Sequence, residues 1–432
     1  MLTAHPSGRL HCRLPFSRLG SRRRRSMSTT RPIQDSTRGA QRFLAKGRTL
    51  ADTLRGQDNN FGIVRLVAAV LVMFGHSFIL QPAMGRTDPL HTLTGNDYSG
   101  SLAVYAFFFL SGILISQSWD RQNTLGAYVA LRIGRIWPAL IVCVVLITLV
   151  AGPLLSTQSV SAYMQDKMTF GFLIRNITLF SGLRTRLPGL FEDNVFHGVN
   201  SSLWTLPVEV MCYVMVAVLG ISTLARGKVR VLIGAGLAVL VWLALFHVHT
   251  HLPVIGTIVK DLTEKPGDFS AHPVPFFIAG FVAYHYRKKI VLRGDFAIAL
   301  CVGYVLSRDQ PWANALLYVT FIYGLMVFSG LPQFKRLRPD WDISYGLYIY
   351  GFFVQQVVAS YFPQQDNLLG VLISLAITTV VAAGSWFLVE KPAIAFVRRM
   401  LGKKQATPHP DPATASNASD VASAAEVRKT SR

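Results

Sequence analysis

FGIVRLVAAVLVMFGHSF, residues 61–78, decides the class of this chain. Eighteen residues hold one Arg, one His and no acid. As a helix they reach ~27 Å, close to the ~30 Å hydrocarbon core of a bilayer. The rest of the chain repeats the theme: of 432 residues 51% are apolar or aromatic and only 15% charged, where a water-soluble domain has about a quarter charged. Mean hydropathy is +0.37. The formal charge of +21 invites nucleic acid as a partner in other settings; here the apolar bulk excludes that and leaves the basic residues as a topology signal and an attraction to anionic lipid.

Outward from this stretch, apolar runs lie near 61–81, 102–118, 136–154, 203–224, 229–247, 273–286, 291–306, 312–330, 344–361 and 367–389. The expected fold is therefore all-α, a polytopic bundle of about ten membrane helices. Every second loop is basic, as with Arg121, Arg132 and Arg135, then Arg287, Lys288 and Lys289, then Arg398 and Arg399. The positive-inside rule places those loops and both termini in the cytoplasm. The patch Phe170–Phe180 is interrupted by Arg175 and Asn176 and reads as interfacial or re-entrant, since counting it as a span inverts every later loop. Residues 1–56 form a basic N-terminal tail expected to be disordered, with Arg22 to Arg25 in a row and Met27 as a second plausible start. Residues 57–392 form the membrane domain, and 393–432 a largely disordered cytoplasmic tail.

Titratable side chains inside spans are functional candidates because lipid makes them costly. Arg65 and His76 are three helical turns, ~16 Å, apart on one face of the first span. Glu209, in NSSLWTLPVEVMCYV, lies ~9 Å below the outer boundary and His76 ~8 Å below it. At equal depth the carboxylate can orient the imidazole and raise its basicity; two unrelated buried polar groups is the alternative. Arg132 and Arg135 in RIGRIWP share a helix face, either as a phosphate site or as membrane anchors. Ser111 and Gly112 put a small pair in mid-span, for a ligand or for helix packing. Glu390-Lys391-Pro392 reads as the end of the last span. His247, His249 and His251 lack a carboxylate or Cys at ligand spacing, and no metal site is expected. The four Cys are scattered and imply no disulfide framework.

Taken together, Arg65 and His76 with ten residues between, FFFLSG (107–112), RIGRIWP (132–138), SSLWTLPVE (201–209), SYGLYIYG (344–351) and EKP (390–392) resemble the membrane acyltransferase type 3 family. The resemblance covers about residues 57 to 392. It implies transfer of an acyl group, most often acetyl, from cytoplasmic acyl-CoA to a hydroxyl of a cell-surface or lipid-linked glycan, at the inner membrane. By the same resemblance His76 is the catalytic histidine and Glu209 its acidic partner or a support. Arg65, Arg132 and Arg135 lie near the CoA phosphates, and Ser111 and Gly112 along the donor's path. Many relatives carry a His where this chain has Gly351, followed by Phe352, Phe353 and Val354, with Gln355 and Gln356 next. A polytopic carrier or flippase for a glycolipid or small solute is the competing class; the lack of a visible internal repeat counts against it.

Overall fold

The computed structural model describes residues 47–55, 59–82, 85–122, 124–179, 182–221, 265–267, 269–337 and 341–405, with Gly234 and Gly236. Six helices are long and apolar enough to cross a membrane: α2 (Phe61–Leu80), α4 (Ser99–Gln122), α5 (Leu125–Leu155), α8 (Ser201–Ile221), α11 (Ala313–Gly330) and α13 (Asn367–Gly402). Shorter pieces are α1 (Leu50–Leu54), before the first of them, and α3 (Pro89–Thr94), α6 (Val160–Gln165), α7 (Lys167–Thr178), α9 (Val274–His285) and α10 (Gly294–Leu306); α12 (Ser344–Tyr361), at 18 residues, is as long as α11 but less apolar. The count of ten spans is not reached among the described residues. The run 229–247 falls outside them apart from two glycines, and α9 and α10, at 12 and 13 residues, are only ~18–20 Å long. At twelve residues α7 is also too short to span; it packs beside α5, in keeping with an interfacial reading of its sequence.

Residues within 47–55, which the sequence reading places in the N-terminal tail, carry secondary structure. Arg48 and Thr49 (β1) pair antiparallel with Leu292 and Val291 (β2). Thr49 and Asp52 then form a capping box on α1, the Thr hydroxyl donating to the Asp carboxylate over 2.6 Å. Leu50 and Leu54, one turn apart, are buried against the bundle. At the other end α13 runs through Pro392 into the segment assigned to the tail. A π-helical turn, Trp386–Glu390, precedes the proline, so Pro392 falls in the first turn of the following segment, where its missing N–H costs little.

α4 is the most enclosed of the six long helices. It packs on α2 and most extensively on α9, while α12 fits between α2 and α13. The α4–α9 crossing depends on Gly112 meeting Gly280: a Cβ at Gly112 falls on the carbonyl oxygen of Phe277, and one at Gly280 on that of Phe109. Close backbone approach through small residues is how membrane helices associate. Gly112→Ala is therefore expected to destabilise the bundle by about 1–3 kcal/mol, the range for overpacking a dense interior. Thermal denaturation in detergent checks this, and a melting curve like that of the wild type would show that the crossing yields without cost.

Candidate active site

The first halves of α2, α5 and α12 meet the middle of α4 and α8 around a cavity of about 120 Å³. Arg65 enters it from α2, Ser111 from α4, Arg132 and Arg135 from α5, Glu209 and Tyr213 from α8, and Tyr345 and Tyr348 from α12. Five of the seven sequence-selected residues thus share one chamber. The other two do not line it. Gly112, one residue and ~100° beyond Ser111 on α4, is turned toward α9 and is used up in packing. His76 lies farther along α2, its ring edge-on to Phe352 at 5.0 Å. Tyr348, in the cavity wall, is one helical turn before Phe352 on α12, so the imidazole sits about one turn beyond the chamber.

The arginines are not equivalent. Asp342, just ahead of α12, takes Arg65 at 2.9 Å and Arg135 at 2.8 Å on the same Oδ2, and its Oδ1 accepts from Ser344 Oγ at 2.6 Å. Arg135 also reaches Glu390 Oε2 at 3.2 Å, and Glu390 is 1% exposed. The π-helical turn and the packing of the end of α13 along the start of α5 bring that carboxylate to Arg135. Burial pushes the Asp342 carboxyl up, but the guanidinium groups of Arg65 and Arg135 outweigh it and hold the carboxyl well below the usual carboxylate range.

Arg132 is different: among the described residues it has no carboxylate partner. One Nη donates to Ser118 Oγ at 3.3 Å, its Nε is buried with no hydrogen-bond partner, and its guanidinium lies 5.9 and 5.7 Å from the ring centroids of Tyr128 and Tyr213. Two arginines are therefore already neutralised, and the third offers a free N–H and an unpaired charge to the chamber.

Glu209 accepts the hydroxyl of Tyr213, one turn on along α8. No hydrogen bond joins it to His76, whose Nδ1 is buried and without a partner. The equal depth expected from the sequence does not hold: Glu209 lies one turn past Thr205, which meets Tyr348, on the chamber side, whereas His76 packs on Phe352, one turn past Tyr348 in the other direction. Tyr348 Oη meets Thr205 Oγ1 at 2.6 Å and donates to Ser202 O at 3.0 Å, while its ring is edge-on to Phe107 at 5.7 Å. These groups form the partition between the chamber and the imidazole. Asp342, Glu390 and Tyr213 are site residues that sequence reasoning did not assign to the site. Asp342 stands outside any apolar run, Glu390 falls where interfacial charge is usual, and tyrosines are common at interfaces. The histidines 247, 249 and 251 lie outside the described residues, among which no group of His, Cys, Asp and Glu is placed to hold a metal.

Sequence comparison with known proteins gives the family. The acyltransferase domain of the type 3 family matches residues 58–389. An O-acetyl transferase of Shigella phage Sf6 is 30% identical over 349 residues, covering 78% of this chain and 96% of the relative. Nodulation protein 10 of Rhizobium leguminosarum bv. viciae is 25% identical over 366 residues, covering 78% of this chain and 94% of that protein. No solved structure matches. A family match across most of the chain, carried on a helical membrane bundle, settles the class: this chain belongs to the type 3 acyltransferase family.

Proposed function

We propose that the protein moves an acetyl group from cytoplasmic acetyl-CoA to a hydroxyl of a cell-surface or lipid-linked glycan, at the inner membrane. The single observation that carries the reading is a chamber holding one half-buried guanidinium with no carboxylate partner among the described residues and a buried, unpartnered Nε, about a helical turn from an imidazole whose buried Nδ1 has no hydrogen-bond partner. In this scheme the phosphates of the donor meet Arg132, and Arg65 and Arg135 add positive potential without surrendering their ion pairs. The pantetheine arm passes Ser111 and the Tyr348 partition, bringing the thioester toward His76. His76 takes the proton of the attacking sugar hydroxyl as its oxygen bonds to the thioester carbonyl carbon. The tetrahedral adduct then collapses, releasing CoA thiolate, which receives a proton. We assign Glu209 to the donor end, where with Tyr213 it shapes the wall beside Arg132.

The orientation has support of the same kind. Chain segments that the positive-inside rule puts in the cytoplasm come together in the fold: β1 pairs with β2 just after Arg287, Lys288 and Lys289, and Asn60 donates to Phe328 O and Leu331 O at 2.9 and 2.8 Å. Both termini are accordingly assigned to the cytoplasm. Ten spans follow if the run 229–247 and helices α9, α10 and α12 are counted with the six.

Membranes containing the full chain, given labelled acetyl-CoA and de-O-acetylated surface polysaccharide, are expected to add ~42 Da per modified unit, the mass of an acetyl replacing a hydroxyl hydrogen. Hydrogen bonds to charged groups contribute ~1.5–3 kcal/mol. Arg132→Ala is thus expected to raise KM for acetyl-CoA roughly 10- to 100-fold. An unaltered donor KM in that variant would remove Arg132 from the donor site, and substrate movement with no consumption of acetyl-CoA would point to a carrier instead.

A further inference from the structure

At the opposite end of the bundle, the outer one in the proposed orientation, a second cavity of about 230 Å³ opens between the end of α5, the segment 189–194 and the last turns of α12. Its chemistry is the reverse of the donor chamber. Glu192 and Asp193 contribute carboxylates, Asn194 an amide, Ser360 a hydroxyl and Tyr361 a ring that is 67% exposed, and no cation lines it. Ionised carboxylates only accept hydrogen bonds. The ligand must bring donors and no negative charge, and the exposed ring offers a flat apolar face beside them.

The walls are fixed in place. Thr157 N donates to Gly189 O at 3.0 Å, Ser156 Oγ to Pro188 O at 2.9 Å, and Asn194 Nδ2 to Gln356 Oε1 at 2.8 Å. Ser360 Oγ donates to Asn194 Oδ1 at 3.0 Å, and Gln356 Nε2 to Phe196 O at 2.6 Å. Phe191 holds φ at 58°, a left-handed conformation that a bulky residue keeps only where its surroundings enforce it.

The same helix leads from this cavity to the imidazole. Phe352 touches both His76 and, at 5.8 Å between centroids, Phe196; Ser360 is eight residues farther along α12, ~12 Å. Along that path two amides are almost fully buried, Asn200 at 2% and Gln355 at 4% exposed. The Nδ2 of Asn200 donates to Ile349 O at 2.7 Å and the Nε2 of Gln355 to Met73 O at 2.7 Å, yet neither amide oxygen has a donor. Buried acceptors without donors are costly. A hydroxyl-rich chain supplies what they lack.

We propose that this cavity and the seam marked by Asn200 and Gln355 form the acceptor site, with a neutral sugar residue in the cavity and the next residue of the same glycan extending along α12 toward His76. The inference rests on the acyl-transfer reading above. Acidic sugars are turned away from the outer position by Glu192 and Asp193. The test uses the full chain in membranes, labelled acetyl-CoA, and oligosaccharides cut from the host cell's de-O-acetylated surface polysaccharide. Asp193→Asn and Tyr361→Ala alter exposed side chains. Each is expected to raise KM for the oligosaccharide roughly tenfold, one hydrogen bond or one ring contact, while KM for acetyl-CoA holds. Unchanged oligosaccharide KM in both variants overturns the acceptor site and leaves acyl transfer standing. Failure of the wild type to label any glycan overturns the acyl-transfer reading, and the acceptor site with it.

Discussion

His76→Ala is expected to lower acetyl transfer by about 10²–10⁴-fold, the usual contribution of a general base, while the protein still accumulates in the membrane. The imidazole has no role in holding the fold that the structure reveals: its Nδ1 makes no hydrogen bond, and its one ring contact is an edge against Phe352. Removing it leaves a small apolar gap and relieves an unsatisfied buried nitrogen, so stability should change little. Donor binding should also survive, because Arg132 and the rest of the chamber lie a turn away. The signature is a fall in kcat with KM for acetyl-CoA retained, measured with labelled donor. Transfer at wild-type rate in this variant would end the assignment of His76 as the base.

The chamber was legible in the sequence because lipid makes buried charge conspicuous. Arg65, Arg132, Arg135 and Glu209 each interrupt or border an apolar run, and a side chain of that kind has to find the protein interior. What the linear pattern hides is true depth and azimuth. Counted from the span ends Glu209 and His76 are level, yet in the fold Glu209 sits with the arginines and His76 a turn beyond the chamber; Ser111 and Gly112 are neighbours in sequence and face different partners. Asp342 gives no signal at all, since nothing about an acid between Trp341 and Ile343 says that it folds back under two guanidinium groups. Glu390 is hidden by Pro392, which ordinarily ends a helix but here follows a π-helical turn that lets α13 continue. The run 344–361 reads as a span although α12 carries Gln355 and Gln356, both buried where it is enclosed by α2 and α13.

Arg135 is expected to be the charge on which the fold most depends. Its guanidinium bridges Asp342 and Glu390, and Glu390 is 1% exposed with no other cation against it among the described residues. Arg135→Ala strands that carboxylate in the interior, and breaking a buried pair in this way costs about 3–5 kcal/mol. Glu390→Gln should cost much less, because Arg135 keeps Asp342 and the amide can still accept from Ser385 Oγ, now 3.3 Å from Glu390 Oε1. Arg132→Ala, which breaks no carboxylate pair among the described residues, should melt close to the wild type while binding donor more weakly. Melting in detergent should therefore order the variants with Arg135→Ala far the lowest; equal curves for all three would mean the network adds nothing to stability. The pH dependence has a definite sign. Asp342 is held below its ordinary value by Arg65 and Arg135, so its contribution is complete above the unfolded value of about 4 and is lost only as pH falls below that. Between pH 8 and 5 the gap between wild type and Arg135→Ala should stay constant as far as Asp342 is concerned, and acidification below pH 4 should narrow it, because protonating the carboxylate removes from the wild type part of what the substitution has already taken away.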